Sequence, residues 1–133
     1  MNYYSYSFLA GGRLYWDKCV TMPTYSDGEL AYCSFLNSIK SVKIAWHGMI
    51  QHDMKNKEIR IHPTQKPVAL YKWILNQWSL KEMRVLDTHG GSFSSAIACH
   101  DYGINLDISE IDKKYYENGL LRLNQHQSQT KLF

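Results

Sequence analysis

Long apolar runs are absent from this chain of 133 residues: none approaches the roughly 18 residues that a membrane-spanning helix needs. The first residues, Asn-Tyr-Tyr-Ser-Tyr-Ser, lack the basic start and continuous apolar stretch of a secretion signal. Cysteine is scarce, and Cys19, Cys33 and Cys99 are odd in number, widely spaced and set in apolar surroundings. These absences predict a reduced cytoplasmic protein with small buried thiols and no metal site, rather than a disulfide-stabilised or membrane protein.

Extreme composition is also absent. Apolar residues make up 44% of the chain and charged residues 20%, which is an ordinary globular balance and not that of a disordered segment. The length predicts one domain with a real core, yet it is short for a complete α/β enzyme. The net charge of +3 suits a nucleic-acid partner without requiring one.

Basic side chains are concentrated in one stretch of the first half. Lys55, Lys57 and Arg60 lie close together, Lys66 follows, and Glu58 is the only acid among them. Such a strip can contact the phosphates of DNA, and we take Lys55, Lys57 and Arg60 as candidate DNA-binding residues. A solvated polar loop with no ligand is the alternative that charge pattern alone leaves open.

The first half of the chain is expected to contain two strands and a short helix. Residues 13–16 are β-rich and follow two glycines, which predicts a strand. Ser26 and Glu29 have the spacing of a capping box, which predicts a helix through Phe35. Residues 42–46 are rich in β-branched side chains and predict a second strand, whereas 47–62 have no periodicity and indicate a loop.

Strands and helices are expected to alternate in the second half. Pro67 suits the first position of a helix, and residues 83–86 and 104–111 read as strands. A helix is predicted over 94–101, closed near Gly103, and Asp112 is placed to cap the last helix. This order predicts an α/β fold, with a mostly parallel sheet covered by helices on both faces.

One strand end has the pattern of a nucleotide-like binding turn. The predicted strand ends at Asp87 and runs into Gly90-Gly91-Ser92 and then a helix, which lets backbone N–H groups approach a ligand. Glu110 lies about twenty residues further on, where such folds place an acid that accepts from ribose hydroxyls. Asp107, earlier on the same strand, is the second candidate for this contact. A Gly-Gly-Ser sequence alone would also suit an ordinary surface turn.

Two motifs in a fixed order carry a family resemblance. His-Pro-Thr-Gln-Lys-Pro at 62–67 precedes Val-Leu-Asp-Thr-His-Gly-Gly-Ser at 85–92, and this pair resembles the DNA amino-methyltransferases that act on adenine N6 or cytosine N4. This order is that of the family members whose cofactor motif lies C-terminal to their catalytic motif. Residues 14–18 and 29–31 are similar to a stretch of phage-type members.

The resemblance implies a Rossmann-like fold that binds S-adenosylmethionine, with double-stranded DNA as the substrate. DNA methylation in a restriction–modification or phage setting is the corresponding role. Residues 1–128 would then be a partial methyltransferase domain. The positions that match the family's cofactor motifs are His62, Thr64, Gln65, Lys66, Asp87, Thr88, His89, Gly91, Ser92, Glu110 and Asp112.

The sequence departs from the family pattern at two places. Phe93 stands where the family has a second glycine, so its ring either crowds the cofactor or turns away and packs under the helix. The catalytic Asp/Asn-Pro-Pro-aromatic tetrad is absent, because the three prolines, at 23, 63 and 67, are never adjacent. We therefore expect no catalytic residue here, and a C-terminal part of a methyltransferase that comes from a truncated gene, a split gene or a remnant.

The resemblance implies that the tetrad lies on a strand central to the sheet, so this strand is expected to be missing here as well. A sheet that lacks an inner strand exposes its edges, and we therefore expect a further partner: an N-terminal half on another chain, or a second copy of this chain. A non-catalytic module that binds DNA, a partner subunit or a sliding clamp is the alternative function.

The C-terminal residues 129–133 read as a tail with a docking pattern. Gln129, Leu132 and Phe133 form a Gln-x-x-Leu-Phe ending, which resembles the peptide by which bacterial replication and repair proteins bind the sliding clamp. A frayed end, or a strand-like segment that packs on its own domain, is the alternative.

Overall fold

The computed structural model describes residues 11–47, 49–80 and 82–130. The chain divides into two compact units, Met1–Lys57 and Glu58–Phe133. Among the described residues, the first unit contains only strands, and the second contains three helices and two strands.

The first unit is built on strand β1 (Gly12–Asp17), which lies between two neighbours. β2 (Gly28–Cys33) pairs with it antiparallel and β3 (Ile39–Lys43) pairs with it parallel. Alternate residues of β1 are buried, as expected for a strand with one face on a core. A short hairpin follows, formed by β4 (Trp46–His47) and β5 (Ile50–Gln51). Among the described residues of this unit, the buried apolar side chains are Leu14, Trp16, Val20, Val42, Ile44 and Trp46.

The helix predicted to start at Ser26 is wrong, because these residues form β2. Ser26 Oγ donates to the Gly28 carbonyl at 2.5 Å rather than capping a helix. Glu29 reaches across to Lys18 at 2.8 Å, and Leu30 lies opposite Tyr15 in the antiparallel register. Pairing with β1 therefore overrides the local capping signal.

Two other predictions for the first unit are correct in part. The strand predicted at 13–16 is observed as β1. The strand predicted at 42–46 is observed as two, β3 and β4, because Ile44 leaves the ladder and its N–H donates to the Asp17 carbonyl at 3.0 Å. The predicted loop at 47–62 is mostly irregular but contains β5.

The second unit follows the predicted alternation. Helix α1 (Val68–Trp78) starts directly after Pro67, strand β6 (Arg84–Asp87) leads to α2 (Ser94–Asp101), and β7 (Asn105–Ile108) leads to α3 (Lys113–Thr130). β6 and β7 are parallel, with Asp87 opposite Ile108. Asp112 caps α3 as predicted, since its Oδ1 accepts the Tyr115 N–H at 3.0 Å. The core joins Leu75, Ala98 and Cys99 to the inward side chains Val68, Tyr71, Val85, Ile104 and Leu106.

The α/β class is confirmed, but the single, mostly parallel sheet is not. The described residues form three small sheets, and the largest of them is mixed, because β1 has one antiparallel and one parallel neighbour. None of the helices formed by the described residues combines the length and apolar character needed to span a bilayer.

The three cysteines are all free thiols, but they differ in burial. Cys99 is buried as predicted, and its pKa is raised by burial and by the negative charge of Asp87. Cys19 is exposed and Cys33 is half-buried, so the expectation of buried thiols is wrong for Cys19. Its left-handed backbone, with φ at 55°, belongs to the loop that follows β1.

Candidate functional site

The turn between β6 and α2 is held at both ends by Asp87. Its Oδ1 accepts the His89 N–H at 3.0 Å, and its Oδ2 accepts the Ser95 hydroxyl at 2.5 Å. Gly90 N–H donates to the Ser109 carbonyl at 2.8 Å, which fixes the turn to the end of β7. Gly91 has φ of 53°, a conformation that glycine adopts without strain. The backbone of the turn is therefore set before any ligand arrives.

Glu110 lies at this turn, as its spacing from Asp87 predicts. Its Oε2 accepts the Gly91 N–H at 2.7 Å and its Oε1 accepts the Asp112 N–H at 3.0 Å. These backbone N–H groups of Asp112 and Gly91, with a smaller effect from the charge of His62, lower the pKa of Glu110. The carboxylate is therefore ionised at neutral pH and lies against the turn at Gly91.

Asp107, the second candidate for a sugar contact, is engaged elsewhere. Both of its oxygens accept from Arg84, at 2.6 and 2.8 Å across the β6–β7 pair. This contact with Arg84 lowers the pKa of Asp107. The structure thus brings Glu110, and not Asp107, to the turn.

His62 brings a third segment to the same place. A Cβ at position 91 would lie 3.7 Å from atoms of the His62 ring, so the imidazole faces Gly91. Thr64 contacts the Nδ1 atom of this ring through its N–H at 3.3 Å and its hydroxyl at 3.2 Å. Tyr115 packs edge-on against the His62 ring, with ring centroids 4.3 Å apart. Tyr115 was not predicted, because its contact with His62 joins two segments that lie far apart in the sequence.

Other predicted site residues support the backbone. Gln65 is buried, and its amide accepts the Ile61 N–H at 2.9 Å and donates to the Ile59 carbonyl at 3.2 Å. Ser92 is also buried, and its hydroxyl lies 3.0 Å from that of Ser94. These side chains shape the segments on either side of the turn.

The remaining motif positions are less buried. Thr88 Oγ1 and His89 Nδ1 lie 2.9 Å apart on the exposed part of the turn. Lys66 is half-buried and stands directly before Pro67, the residue that precedes α1. Asp112 is exposed, and its carboxylate caps α3.

Phe93 packs away from the Gly91 side of the turn. Its ring is 1% exposed and lies edge-on to Tyr116, with centroids 5.6 Å apart. A Cβ at Gly119 would come within 2.5 Å of this ring, and one at Gly90 within 3.0 Å. Of the two alternatives left by the sequence, the ring packed under the helix is the one observed. The backbone at Phe93 keeps the left-handed conformation of a glycine position, with φ of 60°.

A partly buried ion pair, which was not predicted from the sequence, connects the segments that start α1 and α2. Glu58 Oε2 accepts from Arg122 at 2.6 Å, and its Oε1 accepts the Val68 N–H at 2.9 Å. Arg122 also donates to the Ser92 carbonyl at 2.8 Å and to the Ser94 hydroxyl at 2.9 Å. Burial lowers the pKa of Arg122, and the charge of Glu58 opposes this. The two residues are 64 positions apart and belong to no motif, so the sequence offers no signal for them.

The candidate DNA-binding cations are exposed. Lys55 and Lys57 belong to the first unit and Arg60 to the second. The backbone at Lys55 is ordered by Asp53, whose Oδ1 accepts its N–H at 3.0 Å. Their role in DNA binding stays a prediction.

The predicted docking tail begins inside a helix. α3 extends to Thr130 and therefore includes Gln129. Leu132 and Phe133 lie outside the described residues, and the sliding-clamp contact stays a prediction. Within the described ranges, no group of three or more His, Cys, Asp or Glu side chains could hold a metal ion.

A strand, a glycine turn and a helix, with an acid from the end of the adjacent parallel strand, form the arrangement in which α/β proteins hold nucleotide-like ligands. Comparison of the chain with known protein families and solved structures agrees with this class. The N6/N4 methyltransferase model, described as DNA methylase, matches residues 16–120, and the chain belongs to this DNA methylase family.

A solved structure shows the same fold. The chain is similar to the crystal structure of the M1.HpyAVI–SAM complex, with a TM-score of 0.56 and 23% sequence identity over 83% of this chain. The match covers 60% of the chain in that structure, so the sequence spans less than two thirds of this relative. No curated protein matches.

Proposed function

We propose that this chain binds S-adenosylmethionine and provides the cofactor-binding part of a DNA methyltransferase that acts on the exocyclic amino group of adenine N6 or cytosine N4. The observation that carries the proposal is the contact of Glu110 with the Gly91 N–H beside the His62 ring. Three segments that the family resemblance singles out separately meet there. The DNA methylase family and the likeness to a complex with SAM support the same ligand.

The residues present fit a sulfonium nucleoside. The Glu110 carboxylate supplies acceptors for the ribose hydroxyls, and Ile111, whose side chain is fully exposed, offers an apolar surface for adenine beside it. Gly91 leaves room for close approach of the backbone under His62. The segment of His62, Thr64, Gln65 and Lys66 would border the methionine end. When bound, the cofactor supplies an activated methyl group, and these side chains bind and orient it.

Methyl transfer needs groups that this sequence does not contain. An exocyclic amine must be held by a carbonyl and a polar side chain while an aromatic ring stacks on the flipped base. The sequence has no Asp/Asn-Pro-Pro-aromatic tetrad to do this. We infer that the tetrad comes from residues outside this sequence, on an N-terminal half or another subunit.

The β6–β7 sheet supports such a partner. Parallel sheets are normally covered on both faces, yet Arg84 and Leu86 are exposed on one face of β6, with Leu86 70% exposed. Light scattering of the purified chain, alone and with a tetrad-bearing N-terminal half, tests this inference. We expect the chain to self-associate or to form a complex with the added half. A monodisperse monomer that does not bind the added half contradicts the inference.

Calorimetric titration with S-adenosylmethionine tests the cofactor assignment. Saturable binding is expected, and absence of any heat at several temperatures contradicts it. Incubation of the chain with double-stranded DNA and methyl-labelled cofactor should give no methylated product. Turnover by the chain alone would show that its catalytic residues lie within this sequence.

A non-catalytic module is the second candidate function. Phe93 in place of the family's glycine, together with the absent tetrad, favours it. Such a module would bind DNA or a partner subunit without binding the cofactor. Alternatively, it would bind a sliding clamp, with Gln129, Leu132 and Phe133 as the contact residues. The same titration separates the two proposals, because only the first predicts a heat of binding.

A further inference from the structure

The peptide that joins Ser92 to Phe93, in the turn between β6 and α2, is fixed at both of its polar groups. Its N–H, which belongs to Phe93, donates to the Gly90 carbonyl at 2.8 Å. Its carbonyl, which belongs to Ser92, accepts from Arg122 Nη1 at 2.8 Å. The plane of this peptide is therefore set from two sides, once from within the turn and once from α3.

The backbone of Phe93 needs such a contact. Its φ of 60° is a left-handed conformation that side chains other than glycine rarely adopt. Rotation of the Ser92–Phe93 peptide would return Phe93 to a negative φ and would turn the Ser92 carbonyl away from Arg122. The hydrogen bond from Arg122 opposes this rotation, so the turn keeps its shape with Phe93 at the position where the family has a glycine.

The shape of the turn decides where the Gly91 N–H points. Gly91 and Ser92 are the two central residues of the turn that the Phe93 N–H closes onto the Gly90 carbonyl. Gly91 itself has φ of 53°, and its N–H donates to Glu110 Oε2 at 2.7 Å. A rotation of the peptide after Ser92 would therefore be passed to the contact between Gly91 and Glu110 through a single intervening residue.

Arg122 is fixed in turn by Glu58. Its Nη2 donates to Glu58 Oε2 at 2.6 Å, and the two side chains are only 14% and 16% exposed. The other Glu58 oxygen accepts the Val68 N–H at 2.9 Å, at the start of α1 and just after the segment that contains His62. The planar guanidinium reaches Glu58 and the Ser92 carbonyl at once, which the single ammonium of a lysine is not shaped to do.

We propose that Arg122 is a positioning residue for the cofactor site. It acts through the Ser92 carbonyl, and it keeps the Gly91 N–H and the Glu110 carboxylate in the arrangement that receives the ribose of S-adenosylmethionine. Arg122 does not itself contact the ligand. The identity of the ligand rests on the proposed function, whereas the placement of Glu110 by Arg122 does not.

Calorimetric titration of the full chain with S-adenosylmethionine is the first test. Arg122→Met should weaken binding by about tenfold, because the hydrogen bond from a charged donor to the turn is lost. Arg122→Lys should weaken binding by a similar factor while it keeps most of the stability, since a positive charge remains beside Glu58. A residue that only stabilises the fold would lose affinity in proportion to stability.

Ile104→Ala is the matched control for stability. Ile104 packs against the core of Leu75, Ala98 and Cys99 and precedes β7, at the end of that strand away from the turn. Its truncation should destabilise the protein but leave the affinity near that of the parent. Urea unfolding of the parent and the three variants gives the stabilities for this comparison.

The pKa of Glu110, followed by NMR of its side-chain carboxyl without cofactor, is the second test. In the parent this pKa is lowered by the N–H groups of Asp112 and Gly91 and by the charge of His62. Both Arg122 variants should raise it toward its ordinary value, since the Gly91 N–H is no longer directed at the carboxylate. Ile104→Ala should leave it lowered, and Glu110→Gln assigns the resonance.

An unchanged pKa of Glu110 in both Arg122 variants would overturn the proposal. So would parent-like affinity of Arg122→Lys, or an equal loss of affinity in Ile104→Ala. If the parent gives no heat with S-adenosylmethionine while the pKa of Glu110 rises in the Arg122 variants, the cofactor assignment fails and the positioning role of Arg122 stands. The two failures are thereby told apart.

Discussion

Phe93 and Gly119 fit each other: the buried ring at 93 occupies the space that any side chain at 119 would take, and a Cβ there would lie 2.5 Å from its Cδ1 atom. Glycine inside a helix costs about 1 kcal/mol relative to alanine. Here that cost is offset by the packing of a large ring between α2 and α3. The two residues are therefore expected to change together rather than singly.

Gly119→Ala should lower the free energy of unfolding by about 1–3 kcal/mol, because overpacking against the ring outweighs the better helix propensity. Urea unfolding followed by circular dichroism measures this. Gln125→Ala on the exposed side of α3 is the control and should be neutral or slightly stabilising. A stabilised Gly119→Ala variant would show that the ring moves freely out of this space.

Phe93→Gly should also destabilise the protein. Relief of the left-handed backbone at 93 is worth about 1 kcal/mol, whereas loss of a buried phenylalanine costs about 3–5 kcal/mol. Its affinity for S-adenosylmethionine should stay near that of the parent, since the ring lies on the Gly90 side of the turn and His62 on the Gly91 side. Markedly tighter binding by Phe93→Gly would show that the ring obstructs the cofactor.

Glu110→Gln should weaken binding of S-adenosylmethionine by about ten- to hundredfold, because a charged acceptor for the ribose hydroxyls is lost. Asp107→Asn is the matched control: this carboxylate lies three positions earlier, in β7, and is held by Arg84. Calorimetry compares the two variants. Equal affinity of Glu110→Gln and the parent would remove Glu110 from the cofactor site.

Arg122→Met should destabilise the second unit by up to about 3 kcal/mol, since Glu58 is left as an uncompensated charge that is only partly exposed to solvent. The double variant Glu58→Gln with Arg122→Met should recover much of this loss, because the stranded charge is removed. Arg84→Ala removes the exposed pair with Asp107 and serves as the control with little effect. Urea unfolding of the parent, Arg122→Met, Glu58→Gln and the double variant gives the comparison, and additive losses in the double variant would argue against a coupled pair.

Stability should fall in acid through Asp101. Burial by itself would raise the pKa of this carboxyl, but hydrogen bonds from Lys72 and His126, at 2.6 Å each, outweigh it and the pKa is lowered. A lowered folded-state pKa stabilises the protein above the unfolded value of 3.8 and ceases to do so as the pH falls through the folded value. Asp101→Asn should therefore flatten the stability curve below about pH 4. Unfolding followed across this range tests it, and an unchanged slope would contradict it.

The sequence predicted the second unit better than the first. α2 was placed with its observed bounds, and Glu110 was placed at the Gly91 turn from its spacing of about twenty residues beyond that turn. β2 was mistaken for a helix, since a capping box is local whereas pairing with β1 is not. Glu58, Tyr115 and Arg122 were missed for the same reason: their roles arise from contacts between distant segments.

Glu58 is the first residue of the second unit, and its carboxylate reaches the first turn of α1 and, through Arg122, the start of α2. That position sets where the polypeptide can be divided. A fragment that begins at residue 58 retains the contacts of Glu58 with α1 and, through Arg122, with α2 and α3, whereas one that begins at residue 59 loses them. Dissection of the two units should therefore succeed or fail on whether that one acidic side chain is kept.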